Sequence, residues 1–277
     1  MIENIYKRRS VRTFKKTALK KKDLNTILQI LKDTEPKEGP FKQRVKFFII
    51  EDTFTTEEEK LKIGTYGFIK NPQGFIGGKI ENTFENLIDF GYLFEEIILK
   101  LTDINIGTVW LGGTFKRKQF SHLIEKDEFI PAISPIGYIN DKQSLRERLI
   151  RKKAKANQRK PFKELFFDQS TKMPLDKKHI LSHLLELVQV APSASNKQPW
   201  RITVDDQGVH FFLHRTKNYA TILPYDIQAL DIGIAIKHFE IGLIEEKIPF
   251  QMIQYNPPII FNEDDYIISF RLERTTK

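Results

Sequence analysis

The 277-residue chain has no cysteine, and that one absence removes several chemistries at once. Disulfides, thiolate-bound metals, iron–sulfur clusters and cysteine nucleophiles are all excluded. Also missing is any apolar run near the roughly 20 residues that a membrane-spanning helix needs, so no membrane partner is expected. The first residues are polar and basic, unlike a secretory leader, which points to a cytoplasmic location. No Gly-x-Ser-x-Gly elbow, Walker-type phosphate loop or dinucleotide glycine fingerprint occurs. Any nicotinamide therefore has no dedicated Rossmann site. Metal ligands are sparse too. His179 and His183 share the polar face of a helix with no third ligand in view. His210 and His214 lie in a strand-like run, where about 3.3 Å per residue sets them about 13 Å apart. No metal is expected.

What is present describes a folded protein whose basic excess reads as a solvated, Lys-rich surface or as the footprint of an anionic partner. Apolar residues make up 40% and aromatics 12%, enough for a core. The formal net charge of +9 is concentrated in Lys7 to Lys22 and in Arg146 to Lys163. Such an excess suits nucleic acid, an anionic membrane or an anionic small molecule. The second block lacks the interleaved aromatics that stack bases, so nucleic acid is not the expected partner. A non-catalytic anion or nucleic-acid binder stands as the alternative from another functional class.

The chain repeats itself. LKKKDLNTILQILKDTEP (Leu19 to Pro36) aligns without a gap on LDKKHILSHLLELVQVAP (Leu175 to Pro192). Leu24 then meets Ile180, Leu28 meets Leu184 and Leu31 meets Leu187. Each run predicts a helix with an apolar stripe, ended by proline. In the second copy Ile180, Leu184, Leu187 and Val188 are expected to face the core, with His179, His183 and Glu186 outside. Further on, Ile88-Asp89-Phe90-Gly91 resembles Leu230-Asp231-Ile232-Gly233, each opening a long apolar helix. The helix over Ile227 to Leu243 is apolar nearly all round, so it must be buried all round. The simplest burial is against its counterpart, Phe84 to Leu101. Strands are predicted at Val45 to Ile50, Gly107 to Leu111, Arg201 to Val204, Val209 to Leu213 and Pro249 to Ile253, and Gly74 to Gly78 reads as a turn. The fold class expected is α+β, with two similar halves, 1–145 and 170–277, joined by a basic segment, 146–169, and packed around a central helical layer.

Three motifs stand out within that frame. Arg8 to Phe14 reads RRSVRTF, Ala191 to Trp200 reads APSASNKQPW, and Ile136 to Leu165 ends in Gln-Arg-Lys-Pro-Phe-Lys-Glu-Leu. Together they resemble the FMN-dependent nitroreductase family, in its divergent single-chain "putative TM nitroreductase" branch. The order departs from the usual family pattern, in which the Pro-Ser-x-x-Asn run follows the arginine motif by some thirty residues. Here that place holds EPKEGPFKQRVKFF (Glu35 to Phe48), with the proline but neither serine nor asparagine. Before the second copy, the arginine motif's place holds ELFFDQS (Glu164 to Ser170).

Family members are typically twofold homodimers whose flavin takes phosphate arginines from one subunit and the Pro-Ser-x-x-Asn loop from the other. The resemblance therefore implies a monomeric pseudo-dimer with one composite site retained and its mate decayed. It implies FMN as cofactor, NAD(P)H as transient electron donor, and a nitroaromatic, quinone or similar small-molecule acceptor. An FMN-binding protein without turnover is the alternative within the family. By carry-over, Arg8, Ser10 and Arg12, with Arg9 beside them, contact the phosphate, ribityl chain or pyrimidine edge. Arg159 and Lys160 complete the phosphate clamp. Pro192, Ser193, Ser195 and Asn196, supported by Gln198, line the ring edge, and Gly112 and Gly113 pass backbone beneath it. No acid–base residue is assigned, because the cofactor carries the redox chemistry.

Overall fold

The structure is a computed structural model and describes residues 1–51, 69–140, 158–219, 221–256 and 258–273. Its centre is a pair of helices. α3 (Phe84–Asp103) is capped by Thr83, whose Oγ1 accepts from Asn86 N at 3.2 Å. α5 (Ile227–Glu245) is capped by Asp226, which accepts from Gln228 N at 3.0 Å. Such caps satisfy backbone donors that the first turn leaves unpaired. Every residue of α5 from Ile227 to Leu243 is buried, as its all-round apolarity requires.

The two helices cross at glycines. A Cβ added at Gly91 would be driven into the carbonyl of Leu230, and one added at Gly233 into the carbonyl of Ile88. These contacts are reciprocal: Gly91 corresponds to Gly233 in the sequence repeat, and Ile88 to Leu230.

Around this pair lie α1 (Ile2–Lys7), α2 (Lys21–Thr34) and α4 (Ser182–Gln189), with two five-stranded sheets. The first runs β1 (Lys46–Glu51), β2 (Gly74–Glu81), β5 (Ile133–Tyr138), β3 (Ile106–Gly107), with β4 (Glu128–Phe129) paired to β2. The second runs β7 (Trp200–Asp205), β8 (Gly208–Leu213), β10 (Asp265–Leu272), β9 (Phe250–Ile253). Both four-strand paths are antiparallel. Helices and strands therefore follow one order twice. β6 (Phe166–Asp168) adds in parallel to the β7 edge. One apolar cluster includes Phe90, Phe94 and Ile97 of α3 together with Ile232, Ile236 and Phe239 of α5.

Four expectations need correction. Gly74 to Gly78 is not a turn but most of β2, between β1 and β5. Its glycines make room for rings: a Cβ at Gly77 would lie 2.6 Å from Phe48 Cζ, and one at Gly78 would lie 2.9 Å from Phe47 Cδ1. Ile180 does not face the core but is 81% exposed, because α4 starts at Ser182 and the preceding residues form turns. Leu184, Leu187 and Val188 are buried as expected. In α2 the buried residues are Ile27, Leu31 and Thr34, so the gapless alignment holds for burial at Leu31 and Leu187 but not at Leu28 and Leu184. The strand expected over Gly107 to Leu111 shortens to β3, after which Leu111 bridges Ile133. Of the basic segment, residues 146–157 lie outside the described residues.

Candidate functional site

The arginine motif leaves α1 as extended chain. Arg8 caps the helix, its N–H donating to Asn4 O, and then turns to φ −59°, ψ 131°. Val11 N donates to Thr108 O at 2.8 Å, and Ser10 bridges Thr108 in parallel. The motif is thus laid beside the segment that leads to Gly112 and Gly113. The Arg8 side chain is only 8% exposed and its Nε lies 3.8 Å from Glu95 Oε1 on α3. Arg9 is exposed. Arg12 is half-buried, and its carbonyl accepts from Lys70 N at 2.8 Å.

The second motif forms a tight loop after α4. Pro192 opens it. Ser193 Oγ accepts from Gln198 N at 2.9 Å, and Ala194 N donates to Asp231 Oδ1 at 2.9 Å. Ser195, Asn196 and Gln198 have positive φ values of 49°, 56° and 48°. Three such residues in four positions is uncommon outside glycine, and strain of this kind clusters at ligand sites. Tyr219 OH donates to Ser195 Oγ at 3.0 Å.

Arg159 joins the two motifs. Its Nη1 donates to Asn196 Oδ1 at 3.2 Å and its Nη2 to Val190 O at 3.0 Å. Asn196 Nδ2 donates to Gln158 O at 2.7 Å, which fixes the orientation of the amide. The Arg159 pKa is pushed down first by burial and then by the charge of Arg8. The positive charge of Arg8 thus disfavours a second cation at Arg159. Two partly buried cations whose charges oppose each other are relieved by an anion between them.

Lys160 departs from its neighbour. Its N–H donates to Gln198 Oε1 at 2.9 Å, and its Nζ lies 3.4 Å from Gln198 O. Burial, then the charge of Arg201, brings its pKa down to about 8, with Lys197 adding to the effect and Glu164 opposing it. Arg159 is thus held at Asn196 and Val190, and Lys160 at Gln198.

Gly112 and Gly113 meet the other half. A Cβ at Gly112 would come within 2.9 Å of Tyr225 Oη and 2.8 Å of Ile227 Cδ1, and one at Gly113 would touch Leu223. Gly112 is held by Arg117, which donates to its carbonyl and lies over the rings of Phe115, Phe129 and Tyr225.

Sequence reasoning missed several residues that organise this region. Glu95, fully buried, accepts from Trp110 Nε1 at 2.8 Å and lies 3.1 Å from His238 Nε2. Asp231, also buried, anchors the Ser193 loop, and burial pushes its pKa well above the usual carboxylate range. The available signal was a charge inside an otherwise apolar helix: Glu95 in the run Phe90 to Leu99, and Asp231 and His238 in α5. No group of three or more metal-ligating side chains and no helix able to cross a membrane occurs among the described residues.

Comparison with known proteins gives a consistent likeness. A family model described as putative TM nitroreductase matches residues 1–243. The crystal structure of a putative nitroreductase from Thermotoga maritima MSB8 is similar at 20% identity, with a TM-score of 0.58 over 98% of this chain and 92% of that one. An FMN-dependent nitroreductase from Clostridium difficile R20291 is similar at 19% identity and a TM-score of 0.41, over 52% of this chain and 90% of that one. No curated protein matches the chain.

Proposed function

Because the chain belongs to the putative TM nitroreductase family, we propose that it is an FMN-dependent oxidoreductase. In this reading it takes hydride from NAD(P)H and delivers it to a nitroaromatic, quinone or similar conjugated acceptor. The observation that carries the reading is the hydrogen bond from Arg159 of the closing motif to Asn196 of the Pro-Ser-x-x-Asn loop, with the charge of the buried Arg8 acting on Arg159. A pair of arginines whose charges act on one another suits a phosphate dianion, since each charge-assisted contact contributes about 1.5–3 kcal/mol.

The reciprocal contacts support an intramolecular pseudo-dimer. In a twofold interface, if residue i of one subunit meets residue j of the other, j also meets i. Gly91 with Leu230 and Gly233 with Ile88 obey that rule. So do Glu95 with His238 and Glu96 with Lys237, each at 3.1 Å: they lie six and seven residues beyond Asp89 and Asp231.

Bound FMN supplies the two-electron redox chemistry. The chain's own residues bind and orient. Arg8 and Arg159 hold the phosphate, and Ser193, Ser195 and Asn196 offer polar atoms to the ring edge. Asp231 and Tyr219 keep that loop in its strained shape. Ser10, Arg12, Gly112, Gly113 and Lys160 complete the walls. No side chain is asked to move a proton in the hydride step.

The test is steady-state NAD(P)H oxidation by the full chain loaded with FMN, using menadione and a nitrofuran as acceptors. Turnover that depends on flavin and acceptor is expected. Flavin binding with no turnover on either acceptor would reduce the protein to a flavin binder, and neither binding nor turnover would remove the proposal.

A further inference from the structure

Resting on the reading of Arg8 as a phosphate ligand, we propose that Glu95 and His238, one from each central helix, form a proton-sharing pair that positions Arg8. The argument starts at His238, which is fully buried. Its Nδ1 lies 2.9 Å from Leu187 O. A carbonyl oxygen only accepts, so Nδ1 carries a hydrogen. Its Nε2 lies 3.1 Å from Glu95 Oε1. A ring lone pair facing a carboxylate oxygen at that distance, away from water, would be repulsive and unsatisfied. A second proton therefore lies between them. Written as imidazolium and carboxylate, or as imidazole and carboxylic acid, the pair is neutral overall.

That neutrality sets how Glu95 treats Arg8. The carboxyl group is fixed on three sides: Trp110 Nε1 on Oε2 at 2.8 Å, His238 on Oε1 at 3.1 Å, and Arg8 Nε at 3.8 Å. It anchors the guanidinium without cancelling its charge. A bare carboxylate at the same spot would draw Arg8 into a full ion pair and compete with the phosphate. An apolar residue there would remove that contact.

The related positions elsewhere in the molecule take another form. Glu96 and Lys237 also meet at 3.1 Å, but Lys37, Lys100 and Glu240 join them in an extended ion-pair cluster. There the partner of the glutamate is a lysine, and the nearby loop carries no Pro-Ser-x-x-Asn motif. The neutral pair occurs where Arg8 needs it.

The test compares FMN with riboflavin, which lacks the phosphate, by fluorescence titration of the full chain stripped of flavin. Glu95→Gln keeps an acceptor for Trp110 and a donor for His238 while removing the acid. It is expected to weaken FMN about tenfold and leave riboflavin within about twofold. His238→Leu should do the same, and the milder Trp110→Phe, which folds if the others do not, should cost about threefold. Parallel losses for both flavins would mean a purely structural role and overturn the inference. So would FMN affinity unchanged or tightened in these variants while Arg8→Ala weakens it. If wild type fails to prefer FMN, or if Arg8→Ala changes nothing, the phosphate reading itself falls and takes the positioning role with it.

Discussion

The loops after Pro36 and Pro192 occupy matching places in the two halves, and they differ in an instructive way. Both are tied to the same position of a central helix. Asp89 accepts from Phe41 N and Gln43 N, at 3.0 and 2.7 Å, as Asp231 accepts from Ala194 N at 2.9 Å. The scaffold is thus present twice. The chemistry is not. The second loop presents Ser193, Ser195 and Asn196, the last bonded to Arg159. The first presents Lys37, which is bonded to Glu96. Packing constrains a helix crossing on both sides at once, whereas a ligand constrains only the side that binds it.

The largest expected effect tests the shared scaffold. Gly91→Val and Gly233→Val would each drive a side chain into backbone, and each should cost about 3 kcal/mol or more in urea denaturation. The two costs should agree within about 1 kcal/mol, because the contacts are reciprocal. A large asymmetry would break the correspondence between the halves. Next come the ligand contacts. Arg8→Ala and Asn196→Ala should weaken FMN about ten- to a hundredfold, whereas Lys37→Ala should change it by less than about twofold. Equal losses at Lys37 would mean that the first loop binds as well.

The tethering aspartates give a pH test. Burial raises the Asp89 pKa to about 6 against the backbone donors of Gln43 and Phe41. The folded state therefore holds a proton that the unfolded state has lost between the ordinary value of 3.8 and about 6. The resulting stabilisation, on the order of 2 kcal/mol, is fully present below 3.8 and is lost as pH rises through about 6. Denaturation of Asp89→Asn should lack that part of the pH dependence. Burial raises the Asp231 pKa well above its ordinary value, against Ala194 N as backbone donor, so the part that Asp231→Asn removes should extend to higher pH. The smallest effect belongs to Ser195→Ala, which loses the Tyr219 bond and should cost about 0.5–1.5 kcal/mol of stability.

The sequence revealed the scaffold better than the site. An all-round apolar helix leaves few options, so the burial of α5 against α3 follows directly from its residues. β2 was misread because Gly74, Gly77 and Gly78 signal a turn locally, while the reason for Gly77 and Gly78, the rings of Phe47, Phe48 and Phe90, lies elsewhere in the chain. Ile180 was misplaced because periodicity does not show that α4 begins late. At the site, the two motifs were visible as words, and the contact between them was inferred only from resemblance. Arg8, whose charge acts on Arg159, is placed by how the chain leaves α1. Glu95 and His238 carry no motif, and their contact with each other joins positions 143 residues apart.

The central claim, that distant parts of one chain form a single flavin site, is tested most directly by counting flavin. The full chain should be saturated with FMN, freed of excess, denatured, and the released flavin measured against protein by absorbance and mass. The account predicts one FMN per chain, lost on Arg8→Ala and on Asn196→Ala alike. Two FMN per chain, or none, would contradict it.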